Sequence, residues 1–118
     1  MSKKLASYNF GLYAETFAVL YLRCKLYKIL ARRYKTSHGE IDIIAQRGKH
    51  VVFIEVKARK KKHDLHDVLS TRQQFRIANA ANDFIAKHKK IRDHNLRFDL
   101  IIVAPGCYIR HLRNIWQS

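Results

Sequence analysis

The stretch from Gly39 to Arg59, GEIDIIAQRGKHVVFIEVKAR, constrains this chain most. Two runs rich in Ile, Val and Phe flank Arg47-Gly48-Lys49, and the pattern predicts two strands joined by a hairpin turn. Neighbouring side chains in a strand point to opposite faces. In the first run Ile41, Ile43 and Ala45 take one face, and Glu40, Asp42 and Ile44 the other. In the second, Val52, Ile54 and Val56 share a face, and Val51, Phe53, Glu55 and Lys57 share the opposite one. One face of the hairpin is purely apolar; the other begins apolar near the turn and ends charged. A strand that only filled a core would have no use for Glu40, Asp42, Glu55 and Lys57 at these places.

Turn length decides whether the charged sets meet. A two-residue loop at Arg47-Gly48 pairs Gln46 with Lys49 and puts Asp42 opposite Phe53. Glu55 is then a same-face diagonal neighbour at roughly 7–8 Å. A four-residue loop, Arg47 to His50, puts Asp42 directly opposite Glu55. A three-residue loop without a bulge sends the two carboxylates to opposite faces, because a one-residue slip flips every side chain. The expectation is an even-length connection, or an odd one corrected by a bulge.

Two carboxylates that close repel each other, and without a cation at least one has its pKa raised. A hard divalent ion relieves the repulsion. Mg²⁺ favours one or two carboxylates together with water and phosphate oxygens. Lys57 points to the same side as Glu55, so its ammonium can steady an attacking water or developing phosphate charge.

Asp42, a twelve-residue gap, and then Glu55-Val56-Lys57 resembles the D…ExK core of the restriction-endonuclease-like nucleases, the PD-(D/E)XK superfamily. The wider set is closer still to one family. Gly11-x-x-x-Glu15, Gly39-Glu40-Ile41-Asp42, Phe53-Ile54-Glu55-Val56-Lys57 and Arg97-Phe98-Asp99 resemble the YraN family, which is similar in fold to archaeal Holliday junction resolvases. The resemblance runs from about Gly11 to about Trp116. It implies a metal-dependent nuclease site with Asp42, Glu55 and Glu15 as metal-binding acids and Lys57 as a catalytic amine, using Mg²⁺ or Mn²⁺. The chain departs from the family at two places. Leu26 stands where a glycine usually closes the first helix. Gln73-Gln74 stands where a Lys-Gln pair often opens the second.

Composition narrows the partner. Lys and Arg number 24 against 9 acidic residues, a formal net charge of +15. That balance points to a polyanion, and nucleic acid comes first, DNA before RNA. The basic run Arg59, Lys60, Lys61, Lys62 leaves the charged end of the strand bearing Glu55 and Lys57, so it is expected to contact phosphates without reading sequence. Arg72 and Gln73 are candidate contacts from the next helix, Gln73 serving equally well as a helix cap. No apolar run is long enough to span a membrane. No apolar signal segment follows Met1-Ser2-Lys3-Lys4, so a cytoplasmic setting is expected. Cys24 and Cys107 fit no metal-ligand spacing, and Cys24 reads as a buried thiol. His63-x-x-His66 lacks the partners of a zinc site.

The 118 residues read as one domain, 1–118. A helix over about Ser7–Lys25 carries an apolar stripe of Phe10, Ala14, Phe17, Leu20, Tyr21 and Cys24, with Glu15 beside it, between Gly11 and Ala18. A strand follows at Tyr27–Tyr34, then the hairpin. Ser70-Thr71-Arg72-Gln73 is a capping-box pattern that opens a second helix, with Phe75, Ala78, Ala81 and Ile85 buried and Ile77 and Phe84 flanking. That helix ends near Lys87 to Lys90. Arg97–Ala104 reads as an interior strand, with Asp99 a structural partner for a basic residue. Tyr108–Leu112 reads as the last strand, with Trp116 packing the terminus. The fold class is α/β, in the order α-β-β-β-α-β-β, with a mixed central sheet flanked by helices like the restriction-endonuclease-like core. The functional expectation is a divalent-metal-dependent endonuclease acting on DNA, with branched or structured DNA among the candidate substrates. Cutting both strands would call for a homodimer or two encounters. The rivals are a non-cleaving nucleic-acid-binding module on the same fold and a structural RNA-binding protein.

Overall fold

The structure is a computed structural model that describes residues 3–60 and 69–116. Its elements are α1 (Lys3–Cys24), β1 (Lys28–Lys35), β2 (Glu40–Arg47), β3 (His50–Ala58), α2 (Thr71–Lys87), a 3-10 turn (Lys89–Ile91), β4 (Asn95–Ala104) and β5 (Tyr108–Trp116). The five strands form one sheet in chain order. Neighbours are antiparallel except β3 and β4, which run parallel across the α2 crossover. The class is α/β with a mixed sheet, in the expected order.

Each helix covers one face. Ala14, Ala18, Val19 and Leu22 of α1 pack on Ile43, Ala45, Val52, Ile54, Ile101 and Val103. Ile77, Ala80, Ala81 and Phe84 of α2 pack on Ile44, Val51, Phe53, Leu100 and Ile102. Strands β3 and β4 are covered on both sides, and the long apolar run in β4 follows from that. Phe84 meets Phe53 and Tyr34 edge-on, with ring centroids 6.3 and 5.2 Å apart.

Both helices bury a face rotated from the expected stripe. In α1, Leu20 is 54% exposed and Cys24 is exposed rather than a buried thiol. This helix carries apolar residues on every side, so spacing alone did not single out the small Ala14–Ala18 edge that fits against the sheet. In α2, Phe75 is 67% exposed, while Ile77, Ala80, Ala81 and Phe84 form a rival set with the same helical spacing. The start of α2 is as expected. Ser70 Oγ accepts from Gln73 N–H, and Gln73 Oε1 accepts from Ser70 N–H. The side chain of Trp116 and the pair His63 and His66 lie outside the described side chains.

The end of α1 is closed by a leucine in a glycine's conformation. Leu26 has φ 69, Tyr27 N–H reaches Leu22 C=O and Leu26 N–H reaches Arg23 C=O. These two bonds make a Schellman motif, which favours glycine because a Cβ is crowded there. Leu26 is 83% exposed, so its side chain contributes little burial. Leu26→Gly is therefore expected to stabilise the fold by about 0.5–1 kcal/mol, the αL penalty less glycine's extra unfolded-state entropy. Thermal unfolding checks this: the midpoint should rise by a few degrees, and a fall would contradict the strain argument.

Candidate active site

The hairpin loop is two residues long, Gly48 and Lys49, with Arg47 paired to His50. Gly48 takes the first loop position at φ +60. Arg47 stays in the strand, where its guanidinium lies 4.5 Å over the Tyr27 ring and bonds Lys25 C=O at 3.2 Å. The connection is even, as expected, but sits one residue later than Arg47-Gly48. That step sets the register. Gln46 pairs with Val51 and Ile43 with Ile54, so the next step brings Asp42 opposite Glu55 and not Phe53.

Regular pairing of β2 with β3 stops at Ile43 and Ile54. Beyond it the Asp42 carboxylate, not a backbone carbonyl, accepts the Val56 N–H at 2.8 Å. The alternation breaks at the same point. Ile41 packs in the α2-side core and not with Ile43 and Ala45 on the α1 side. The parting strands turn Asp42 and Glu55 toward each other, and their carboxyl groups share a hydrogen bond.

They open into a cavity of about 470 Å³. Gly11 and Glu15 reach it from α1, Arg33 and Lys35 from β1, and Glu40 from β2. A Cβ at Gly11 would meet nothing within 4 Å, so this glycine does not serve close packing. Lys57 Nζ is 3.5 Å from Glu55 Oε1. Glu15, 8% exposed, is already engaged: Arg33 Nε donates to its two oxygens at 3.1 and 3.2 Å, and an Arg32 terminal nitrogen lies 3.5 Å away. Arg32 and Arg33 carried no signal beyond a pair of basic residues in an edge strand. Among the described residues no group of three or more His, Cys, Asp or Glu side chains gathers as a metal site.

Two acids, Asp99 fully buried and Glu55 half-buried, show what sets this place apart. Asp99 is fully buried, and burial alone would raise its pKa. His111, Arg97 and the Asn114 N–H donate to it at 2.6–3.0 Å, outweigh burial and hold it below the usual carboxylate range. Asp99 is thus the structural partner of a basic residue, at the irregularity in the β4–β5 pairing. Glu55 has no such set of donors. Burial, then the charge of Asp42, push it up to about 8, against the pull of Lys57. Asp42 is raised as well, by burial first, although the Val56 N–H opposes the shift. Shifts driven by burial and a like charge within a cavity mark chemistry more often than architecture.

The remaining expected contacts are more scattered. Arg59 continues β3, its N–H bonded to Val103 C=O and its guanidinium to Ala58 C=O, and Lys60 is exposed beyond it. Lys61 and Lys62 lie outside the described residues. Arg72 is exposed on the first turn of α2, and Gln73 spends its carbonyl on the helix cap.

The model described as "Uncharacterised protein family UPF0102" matches residues 14–103. The chain belongs to the UPF0102 family. That is the YraN family which its motifs resemble. The match spans Glu15, Asp42, Glu55 and Lys57, so the acids of the cavity lie within it, while Gly11 and Leu12 of the lining precede it. A UPF0102 protein of Rhodopseudomonas palustris strain BisA53 is 46% identical over 93% of this chain and 85% of its own length. One from Parvibaculum lavamentivorans is 42% identical over 96% of this chain and 85% of its own. One from Nitrobacter winogradskyi is 42% identical over 98% of both. Among the described residues of this UPF0102 chain no helix is long and apolar enough to cross a membrane.

The raised Glu55 gives a pH test. Its folded pKa of about 8 lies above its ordinary 4.5, so the folded state holds the proton longer than the unfolded state. The resulting contribution to stability is complete below about pH 4.5 and is lost as pH rises through 8. In chelator, wild type should lose stability between pH 5 and pH 9 relative to Glu55→Gln, measured by denaturant unfolding. Parallel profiles would contradict the shift.

Proposed function

We propose that the cavity is a phosphodiesterase site that cuts DNA, with branched or structured DNA among its candidate substrates and Mg²⁺ or Mn²⁺ held by Asp42 and Glu55. The observation that supports it is the half-buried, hydrogen-bonded carboxyl pair, opening to solvent beside an amine. The donor set suits a hard divalent ion, which takes one or two carboxylates and leaves room for water and phosphate oxygens. Bound there, such an ion would polarise a phosphoryl oxygen and make its water more acidic.

The residues divide the remaining work. Asp42 is fixed by the Val56 N–H, so its second oxygen faces the shared space with Glu55. Lys57 orients the attacking water and balances charge growing on the phosphate. Glu15 sits in the same lining and assists, with Glu40 at the rim. Arg59, Lys60 and Arg72, with Lys61 and Lys62 from the same basic run, contribute affinity for the nucleic-acid backbone without sequence choice. Gln73, committed to the cap, contributes through the position of α2. Each site cuts one strand, so duplex or junction cleavage would use a homodimer or two encounters.

One observation favours the rival, a non-cleaving nucleic-acid-binding module. Arg32 and Arg33 occupy Glu15, which leaves two acids and not three for a cation. Cleavage assays decide between them. Wild type, Glu55→Ala and Lys57→Ala would be incubated with junction, flap, single-stranded and duplex DNA in Mg²⁺, Mn²⁺ or EDTA. The enzyme reading predicts metal-dependent cutting that falls by about 10²–10³-fold in each variant. Tight binding with no cutting on any substrate would establish the module instead.

A further inference from the structure

We propose that Arg33 is the cavity's phosphate-binding residue, and that Glu15 positions it to receive a backbone phosphate of the nucleic acid. The inference rests on the reading of the cavity as a phosphodiester site and gives Glu15 a role other than direct cation binding.

It begins with the backbone. Consecutive residues of a regular strand point to opposite faces, so Arg32 and Arg33 should not meet the same group. Both reach Glu15. The cause is local: Arg33 has φ 50, in the left-handed region, within edge strand β1. That conformation is disfavoured for any residue with a Cβ and persists only where surrounding contacts impose it. Pairing of β1 with β2 resumes on either side, with Arg32 opposite Ile43 and Tyr34 opposite Ile41, so the ladder itself does not require the twist. Its effect is to carry the Arg33 guanidinium into the lining of the cavity that Asp42 and Glu55 share.

Burial divides the labour between the partners. The Glu15 side chain is 11% exposed, whereas that of Arg33 is 49% exposed. The acid is a buried anchor and the guanidinium is open to solvent. Arg33 is gripped through Nε, by both carboxylate oxygens. A guanidinium held at Nε still carries its terminal nitrogens, whose planar fork matches two phosphate oxygens. Arg33 and Lys35 set two cations beside Glu15 in this wall, and Arg32, 3.5 Å from Glu15, further offsets the acid's charge. A phosphate between this wall and the carboxyl pair would meet cationic partners on one side and a carboxylate-held cation on the other.

The test measures binding of a short DNA duplex across a salt series, with Ca²⁺ in place of Mg²⁺. Arg33→Gly removes the guanidinium, and glycine accepts φ 50 without steric cost, so loss of contact is not confused with loss of fold. The slope of log affinity against log salt should shrink by about one, the value for one phosphate contact. Glu15→Ala should weaken binding although it makes the protein more positive, and the double variant should bind no worse than Arg33→Gly alone. An unchanged slope in Arg33→Gly, or tighter binding by Glu15→Ala as simple charge removal dictates, would overturn the proposal. Cutting of the same duplex by wild type and Arg33→Gly in Mg²⁺ separates the two ideas. If wild type binds with the predicted slopes but never cuts, the phosphate contact stands and the enzyme reading fails. If both cut equally with equal slopes, the enzyme reading stands and the role of Arg33 fails.

Discussion

Asp42 and Glu55 are like charges packed into one small space, and the rest of the site follows from that conflict. The hairpin register forces them opposite each other, and the sheet and helices bury them. Burial raises both carboxyls, and the charge of Asp42 raises Glu55 further. Only Lys57 offsets their charge at close range among the ion pairs of the described residues. A pair left short of positive charge inside an otherwise strongly basic protein is an arrangement that a cation and a phosphate would complete together.

The fold supplies the rigidity that such crowding needs. β3 lies between β2 and β4 and is covered by a helix on each face, so Glu55 and Lys57 extend from the most enclosed strand. Gly39 presses directly against the backbone of Arg76 in α2, where any Cβ would collide with the carbonyl oxygen, and this contact fixes the entry to β2 three residues before Asp42. Away from the cavity, Asp99 ties Arg97 and His111 together, and Arg97 and His111 in turn bond Tyr27 and Tyr21. Those bonds join β4 and β5 to α1 and the start of β1. Asp99 is satisfied and structural, while Glu55 is frustrated and available.

Much of this was legible in the sequence because β-strand alternation is a strict rule. The hairpin, the element order, the Ser70 cap and the meeting of Asp42 with Glu55 all rest on spacing and turn chemistry. Alternation failed at Ile41, where the strands part and the Asp42 side chain replaces a backbone acceptor. Helix faces were less legible. Burial of Cys24, Leu20 and Phe75 was expected from apolar periodicity, but α1 is apolar all round and α2 holds two sets with equal spacing. The engagement of Glu15 by Arg32 and Arg33 had no sequence signal, because it depends on one residue leaving the strand conformation.

The central claim is that Asp42 and Glu55 form a cation site, and crystals soaked in manganese test it most directly. The account predicts an anomalous scattering peak between the two carboxylates, absent in crystals of Glu55→Gln. No peak there in wild type, with nucleic acid bound in the cavity, would contradict it.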